Sequence, residues 1–195
     1  FYTATLEELE RYIDKEIDLP KKTVIITFDD GYYSNVLYAY PILKEYGLKA
    51  TIFTVGQNNK TATKNEDYLR FKGMEPTYIS YNDIKKTSDI FDYQNHTYNL
   101  HYPINSSPAL LSLTKDQLIE DFNKVKEQFG TTYFAYPLGA YNDIVIEALK
   151  ETGHRLAFTT NEGYASVNSS KYEIPRLTVF PDVSINTFKE LVNPK

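Results

Sequence analysis

Residues 23–35 read TVIITFDDGYYSN, an apolar and β-branched run that ends on two adjacent aspartates and a glycine. Such a run predicts a strand over residues 23–28 that is covered on both faces, as in a parallel sheet. Gly31 predicts a sharp turn directly after the strand. Asp29 and Asp30 repel each other, so the pair indicates either a solvated Asp-Gly turn or a site that holds positive charge.

The remainder of the chain repeats this unit, an apolar strand followed by a helix. Further strands are predicted at residues 49–55, 90–96, 132–137, 155–160 and 174–180, and helices at residues 6–17, 35–47, 78–89, 114–130, 142–153 and 184–192. The clearest helix, 114–130, begins with a capping box of Thr114 and Gln117 and ends at Gly130. Residues 57–77 show no helical or strand pattern and are expected to form an irregular surface excursion.

Alternating strands and helices imply parallel βαβ units, which fit either an α/β barrel or a doubly wound sheet. In both folds the functional site lies at the carboxyl ends of the strands. No linker rich in Gly, Ser or Pro divides the chain, so we expect one domain over residues 1–195. The chain begins at Phe1 without a Met, and we expect a segment that has been trimmed at its amino terminus.

The composition limits the classes of function. The 195 residues carry a net charge of −5 at pH 7 and contain no cysteine. This charge argues against a general nucleic-acid binder, whose affinity depends on neutralising phosphates. Without cysteine the chain has no disulfide, no thiolate nucleophile and no Cys-ligated zinc. No stretch approaches the roughly 18 apolar residues of a membrane span.

Residues 95–101, NHTYNLH, contain two of the three histidines and follow a predicted strand. The spacing of five between His96 and His101 suits neither a helix face nor a strand face, so the segment must turn for the two rings to converge. The alternatives are two separate hydrogen-bonded or surface histidines and a pair of metal ligands. Two histidines and one carboxylate form a standard ligand set for a catalytic zinc with an open position.

A metal bound in this way would explain the adjacent aspartates. One carboxylate would bind the ion and the other would be free to act as general base on a water molecule. The charge of the ion would offset the repulsion between the two carboxylates.

Residues 133–143, YFAYPLGAYND, again run from a strand into a turn and a helix. Pro137 and Gly139 fix a tight turn, which can present a backbone N–H to a developing oxyanion or serve as an ordinary loop. Four tyrosines flank the three motifs and either line a groove for sugar rings or belong to the packing. They are Tyr32, Tyr98, Tyr136 and Tyr141.

Together these motifs resemble the polysaccharide deacetylase family, also called the NodB-homology family or carbohydrate esterase family 4. TFDDG at 27–31 matches the first family motif residue for residue, and HTYNLH at 96–101 is similar to the second. The histidine spacing, FAYPLGAYN at 134–142 and IPRLTV at 174–179 resemble the branch of the poly-N-acetylglucosamine deacetylases. The resemblance extends over roughly residues 20–190.

The resemblance implies a distorted (β/α) barrel with seven strands and an extracytoplasmic location. It implies Asp29 as catalytic base and the backbone N–H of Leu138 as a donor to the oxyanion. It implies a divalent metal, usually zinc, held by Asp30, His96 and His101. The implied reaction is hydrolysis of the N-acetyl group of an N-acetylglucosamine residue in a polysaccharide, with release of acetate.

Two positions depart from the family pattern. Many relatives carry an arginine in the third motif that orients the base, but Ala135 stands there in this chain. We hypothesise that Arg176, the only arginine of the last predicted strand, replaces it. The family usually supplies its general acid as a late histidine, but no histidine follows His154 in this chain. His154 itself lies at the end of a predicted helix, where the helix dipole explains a histidine without a catalytic role. In the branch named above a Tyr-His segment often precedes the first motif, so we expect the acid to precede Phe1 and this segment to react slowly.

Two other functions remain open from the sequence. The missing acid and Ala135 favour a catalytically impaired carbohydrate-binding module on the same fold, whereas the intact motifs favour the enzyme. A magnesium-dependent phosphotransferase built on Asp29 and Asp30 fits less well, because paired histidines suit zinc better than magnesium. Poly-N-acetylglucosamine, peptidoglycan and chitin-like oligomers all fit as substrates of the enzyme.

Overall fold

The computed structural model describes residues 1–193 and contains, within that range, ten short strands and seven α-helices. The strands are β1 (Tyr2–Thr3), β2 (Thr23–Val24), β3 (Thr27–Phe28), β4 (Ala50–Thr54), β5 (Phe91–Asn95), β6 (Pro103–Ile104), β7 (Ser107–Pro108), β8 (Tyr133–Ala135), β9 (Leu156–Glu162) and β10 (Ile174–Arg176). The helices are α1 (Leu6–Ile13), α2 (Tyr40–Glu45), α3 (Gly56–Lys72), α4 (Tyr81–Thr87), α5 (Lys115–Phe129), α6 (Asp143–Glu151) and α7 (Ile185–Leu191).

Six of the strands form one parallel sheet in the order β3-β4-β5-β8-β9-β10. Phe28 lies beside Ile52 in this register, and Asn95 lies beside Phe134. The sheet curls until its two edges approach each other, as shown by the bond of 3.3 Å from Arg176 Nη1 in β10 to Thr27 Oγ1 in β3. The fold is therefore an incomplete α/β barrel, and the predicted fold class is confirmed.

The predicted number of seven strands is wrong for the part of the barrel within residues 1–193, where the sheet has six. Residues 23–28, expected to form one strand covered on both faces, form β2 and β3 instead, and all six residues are only partly buried. β2 leaves the barrel and pairs in parallel with β1, while β3 pairs with β4. A continuous apolar run gave no sign that its two halves join different sheets.

Apolar side chains cover both faces of the main sheet. Ile52 and Phe53 are neighbours in β4 and both are fully buried, but they belong to different clusters. Phe53 packs with Leu6 and Leu9 of α1, which fills the inside of the curl. Ile52 packs on the outer face with Leu43 of α2. Burial on both faces is the reason that this strand reads as an unbroken apolar run.

Both α5 and α4 begin with capping boxes. Thr114 begins α5 through a capping box with Gln117, and Gly130 ends it with a φ of 66°. Ser80 begins α4 in the same way with Asp83. No helix within residues 1–193 is both long and apolar enough to cross a membrane.

Two segments differ from their predictions. The helix expected at residues 35–47 is a π-helical turn at Asn35–Ala39 followed by α2, with Pro41 in the first turn of α2, where its missing N–H is tolerated. Residues 57–77, expected to be irregular, contain most of α3. Only three of the 17 residues of α3 are buried, so the helix lacks the apolar stripe by which a helix is recognised in sequence.

Candidate metal centre

Three sequence motifs meet at the carboxyl edge of the curled sheet. Asp29 and Asp30 directly follow β3, His96 directly follows β5, and the turn at Pro137–Gly139 follows β8. His101 lies at the end of the loop that continues from His96. Parallel strands present their carboxyl ends at the same edge, so stretches distant in sequence come together there.

Asp30, His96 and His101 form a compact group of possible metal ligands. Asp30 Oδ1 lies 3.3 Å from His96 Nε2 and 3.1 Å from His101 Nε2, and the three donor atoms lie within 4.8 Å of one another. A tetrahedral zinc with ligand distances of about 2.0–2.1 Å places neighbouring donor atoms about 3.3–3.4 Å apart. The distances from the aspartate to the two histidines therefore fit a shared metal ion.

His96 is oriented by a neighbouring strand. Its Nδ1 lies 2.8 Å from the carbonyl oxygen of Ala135 in β8, so Nδ1 carries a proton and donates it. In the neutral ring Nε2 is then a bare acceptor that faces the carboxylate of Asp30. Two acceptors at this distance require a proton or a cation between them, which is a second reason why these residues fit a metal.

Asp30 is ionised and has an uncommon backbone conformation. The adjacent imidazoles, first that of His101 and then that of His96, hold the pKa of its carboxyl well below the ordinary value. The same contact with Asp30 raises the pKa of His101. Asp30 has a φ of 71°, in the left-handed region that few residues other than glycine adopt. Conformations of this kind cluster at functional sites.

The loop between the two histidines makes the reversal that their spacing requires. Thr97 has a φ of 70°, and its Oγ1 accepts the N–H of Leu100 over 3.0 Å. Asp121 in α5 accepts the N–H groups of Tyr98 and Asn99 over 2.7 and 3.0 Å. The spacing predicted the reversal, but Asp121 was not identifiable, because a carboxylate in a helix gives no local sign that it binds a distant backbone.

Arg176 binds the predicted base Asp29 through both carboxylate oxygens. Nη1 donates to Oδ1 over 2.8 Å, and Nη2 donates to Oδ2 over 2.7 Å. The guanidinium is itself held by donation from Nε to the carbonyl oxygen of Thr159 over 3.0 Å. The contact hypothesised from the sequence is therefore present, while its effect on a reaction stays a prediction.

The tight turn predicted after β8 is confirmed. Leu138 has a φ of 57° and an exposed side chain, and Gly139 has a φ of 68°. Gly139 packs so closely on β9 that a Cβ there would overlap Oγ1 of Thr160. The role of the Leu138 N–H as an oxyanion donor stays a prediction.

Three of the four flanking tyrosines are at least partly exposed, and two of these, Tyr32 and Tyr98, have separate surroundings. Tyr32 is 43% exposed, and its ring stacks on Tyr78, with centroids 5.3 Å apart and planes inclined by 20°. Tyr98 lies between α3 and α5, with its ring beside Gly56 and Lys124 Nζ 5.8 Å from the ring centroid.

The other two tyrosines stack on each other. The ring centroids of Tyr136 and Tyr141 are 4.8 Å apart, and Tyr141 is partly buried. Tyr136 is only 1% exposed and donates its hydroxyl to the carbonyl oxygen of Tyr172 over 2.9 Å. Tyr136 is therefore a core residue, in contrast to its predicted position in a sugar groove.

His154, the third histidine, lies behind the metal group. It is 1% exposed, and burial together with the charge of Lys126 lowers its pKa to about 3. A favourable interaction with the helix dipole requires a protonated ring, so the explanation offered for His154 from the sequence is wrong. Its burial agrees with leaving it unassigned as the general acid.

Comparisons with known proteins give the same family as the motifs. The sequence profile described as "Polysaccharide deacetylase" matches residues 16–157. The protein YxkH of Bacillus subtilis is 32% identical over an alignment of 196 positions, which covers 96% of this chain and 62% of that protein. A poly-β-1,6-N-acetyl-D-glucosamine N-deacetylase of Staphylococcus aureus is 32% identical over 187 positions, which cover 91% of this chain and 61% of that protein.

A solved structure has the same fold. The Streptococcus pyogenes deacetylase PplD, in complex with acetate, superposes with a TM-score of 0.82 at 25% identity, covering 99% of this chain and 80% of that chain. This chain spans less than two thirds of the length of the two curated relatives. Because the family profile matches most of the sequence, this chain belongs to the polysaccharide deacetylase family.

Proposed function

We propose that residues 1–195 form a single metal-dependent domain that removes N-acetyl groups from N-acetylglucosamine residues of a polysaccharide and releases acetate. One observation carries the proposal. Asp30 meets His96 and His101 at the same sheet edge where its neighbour Asp29 is held by Arg176. The S. aureus relative, a poly-β-1,6-N-acetyl-D-glucosamine N-deacetylase, supports the substrate, and the acetate in the PplD structure supports the product.

Zn²⁺ is the proposed metal. Imidazole nitrogens suit zinc, whereas magnesium and calcium prefer oxygen ligands. Asp30, His96 and His101 are three protein ligands, the number typical of catalytic sites with an open position, whereas structural zinc sites are closed by four. When bound there, the ion would polarise the acyl oxygen and lower the pKa of a water molecule.

Asp29 is the proposed general base. Its carboxylate would accept a proton from the attacking water, and the two bonds from Arg176 fix the direction of both oxygens. The N–H of Leu138 is the proposed donor to the oxyanion, in a turn that follows the strand whose last residue, Ala135, contacts His96. Departure of the sugar amine also needs a proton. Within residues 1–193 the only histidine outside the proposed metal ligands is His154, which is buried and is not proposed as the proton donor.

Tyr32 and Tyr78 are proposed to offer an aromatic surface to a sugar ring. Their backbones are paired, because Ile79 N–H donates to the carbonyl oxygen of Gly31 over 3.0 Å. The stacked rings are therefore held close to the Asp29–Asp30 pair before any substrate binds. An exposed tyrosine face presents apolar area to the C–H groups of a pyranose ring.

Tyr98 and Tyr141 remain proposed groove residues, but only because they are partly exposed beside the motifs.

An extracytoplasmic location is proposed because polymers of this kind lie outside the cytoplasm. The alternative function is a carbohydrate-binding module with impaired catalysis, which the burial of His154 favours.

Metal content and acetate release test the proposal together. The protein would be loaded with zinc, dialysed and analysed beside Asp30→Asn, His101→Ala and Asp29→Asn, and acetate would be measured on poly-β-1,6-N-acetylglucosamine, chitin and peptidoglycan oligomers. We expect one zinc per chain in the native protein and in Asp29→Asn, but little in the two ligand variants. Acetate release is expected from the native protein but not from these three variants.

Asp67→Asn in α3 is the matched control, because it removes an exposed carboxylate elsewhere and should keep both zinc and activity. Equal zinc content in all five proteins would contradict the proposed metal site. Retained zinc and glycan binding without acetate release would favour the binding module.

A further inference from the structure

A buried pair of polar side chains, Asn95 and His154, lies directly behind the loop of the two metal-binding histidines. Asn95 is fully buried at the end of β5 and immediately precedes His96. Its Nδ2 lies 3.0 Å from Nε2 of His154, and its Oδ1 accepts the N–H of Thr97 over 2.7 Å. Buried amide and imidazole groups cost free energy unless each polar atom has a partner.

The bonds of Asn95 allow only one arrangement of protons. Oδ1 must face Thr97, because the reversed amide would place N–H against N–H. Nδ2 therefore donates both to Nε2 of His154 and, over 3.3 Å, to the carbonyl oxygen of Phe122. His154 must accept at Nε2, so its proton lies on Nδ1 and is donated to Thr152 Oγ1 over 2.8 Å.

The chain of bonds ends on α6. The hydroxyl of Thr152 donates to the carbonyl oxygen of Ala148 over 2.8 Å, which leaves it free to accept from His154. Burial keeps the imidazole of His154 neutral, which the acceptor role of Nε2 requires. The direction of each hydrogen bond from Thr97 through Asn95 and His154 to Thr152 is therefore fixed.

This chain of bonds acts on the most strained point of the metal-binding loop. Thr97 is β-branched and has a φ of 70°, a conformation that costs about 1–3 kcal/mol and persists only when its surroundings determine it. The N–H of Thr97 is held by Asn95, and its carbonyl oxygen accepts the N–H of Gly56 over 3.1 Å. The direction in which the chain leaves His96, and hence the position of His101, depends on these bonds.

We propose that Asn95 and His154 are positioning residues of the metal centre. His154 fixes the amide of Asn95, the amide fixes the peptide of Thr97, and that peptide sets the loop that brings His101 opposite His96. The inference rests on the metal site of the proposed function. It assigns to the third histidine a task in metal binding without any contact with the ion.

Zinc affinity, measured by competition with a chromophoric chelator, tests the inference directly. Outer partners of metal ligands typically contribute about 10–100-fold to metal affinity, so we expect a loss of this size in His154→Leu and Asn95→Ala. His154→Gln can present an amide oxygen where Nε2 lies, and it should restore affinity to within about threefold of the native protein. The absorption spectrum of bound Co²⁺ should change in His154→Leu and recover in His154→Gln.

Leu43→Ala controls for lost stability, because Leu43 is a buried residue of α2 in a different core cluster. It should unfold more easily but bind zinc with native affinity. If His154→Leu does not fold, Thr152→Val tests the next bond of the chain and should weaken zinc binding several-fold, which Leu43→Ala should not.

Two results would overturn the inference. One is native zinc affinity in His154→Leu, or in Thr152→Val if the first variant does not fold. The other is a loss of zinc affinity in these variants that is no larger than the loss in Leu43→Ala when the variants are equally destabilised. Failure of the native protein to bind zinc is a different outcome, because it would overturn the metal site of the proposed function itself.

Discussion

Arg176 holds Asp29 by two parallel hydrogen bonds of 2.8 and 2.7 Å, and this geometry leads to a first prediction. Arg176→Lys keeps a positive charge but cannot present two fixed donors to a carboxylate. We expect kcat to fall about 10–100-fold, since a displacement of about 1 Å at a reacting group can cost about 10²-fold. Zinc content should not change, because Arg176 is no metal ligand. Acetate release and metal analysis are the measurements.

The matched control for Arg176 is Arg155→Lys. Arg155 likewise binds a carboxylate, that of Glu10, and it also donates to the hydroxyl of Tyr133, but these contacts lie at the amino end of the barrel. Its replacement should leave kcat unchanged. An unaltered turnover and pH profile in both Arg176→Lys and Arg176→Ala would show that Arg176 does not position the base.

Gly31 leads to a second prediction, about stability. It has a φ of 71°, as its predicted turn requires, and a Cβ at this position would overlap Oγ1 of Thr54 in β4. Gly31→Ala therefore combines backbone strain with a steric clash, and we expect a loss of about 2–4 kcal/mol in the free energy of unfolding. Urea unfolding followed by circular dichroism would measure it.

Gly47 separates the two causes, because it has a φ of 65° and nothing within 4 Å of the Cβ position. Gly47→Ala should cost only the backbone term of about 1–2 kcal/mol. The predicted clash at Gly31 would be refuted if both substitutions destabilised the protein equally.

The residues of the site divide into those that sequence could identify and those that it could not. Asp30, His96 and His101 were identifiable because each belongs to a short motif at a strand end. Asn95 and Asp121 were not, because their partners lie 59 and 22–23 positions away in the chain. A residue that acts through contacts of the folded chain has no signal in a single sequence.

Helices and strands were likewise predictable from the sequence only where local signals set their ends. The ends of α5 were predicted well because local hydrogen bonds set them, whereas α4 is shorter at both ends than the predicted range of 78–89. α3 was missed because it is attached by polar contacts rather than by an apolar stripe. The split of residues 23–28 into β2 and β3 was missed because the choice of a partner strand depends on the whole sheet.

The attachment of α3 leads to a third prediction. Asn59 is fully buried in α3, donates to the carbonyl oxygen of Ile79 over 2.8 Å and accepts from Thr54 Oγ1 over 2.8 Å. Asn59→Ala leaves both partners buried without a bond, at about 1–3 kcal/mol each. We expect a loss of about 2–4 kcal/mol in stability and faster hydrogen exchange throughout α3, measured by mass spectrometry.

Asn58→Ala is the control, because Asn58 is the preceding residue of α3 and is only partly buried. It should leave hydrogen exchange in α3 near that of the native protein. Equal exchange in the two variants would mean that α3 is not anchored through Asn59.

The molecule as a whole places its chemistry at one end of the barrel. The carboxyl edge carries Asp29, Asp30 and the two histidines, while the amino end carries a structural network in which Glu10 binds Arg155 and the hydroxyl of Tyr133. Arg176 joins β10 to β3 at the carboxyl end, so the contact that holds Asp29 also links the two edges of the sheet. The same side chain, Arg176, therefore both closes the barrel and orients the predicted base.

The buried neutral His154 leads to a fourth prediction, about the stability of the whole fold in acid. Its pKa is about 3 in the folded protein and about 6.5 when unfolded, so between these values the unfolded chain binds more protons. The free energy of unfolding should therefore decrease as pH falls below about 6.5, by about 1.4 kcal/mol per pH unit from this group. Zinc-free protein must be used, because loss of metal in acid has its own pH dependence.

His154→Gln replaces the titrating imidazole by an amide that does not titrate, so the contribution appears as a difference between the unfolding free energies of the two proteins. Asp121 acts in the opposite direction, because burial raises its pKa to about 6 and acid favours its folded form, but it is present in both proteins and cancels. Between pH 6 and pH 4 the native protein should lose about 2–3 kcal/mol more than His154→Gln. Parallel stability curves over this range would mean that His154 is protonated within the fold, and its role as an acceptor for Asn95 would fail with it.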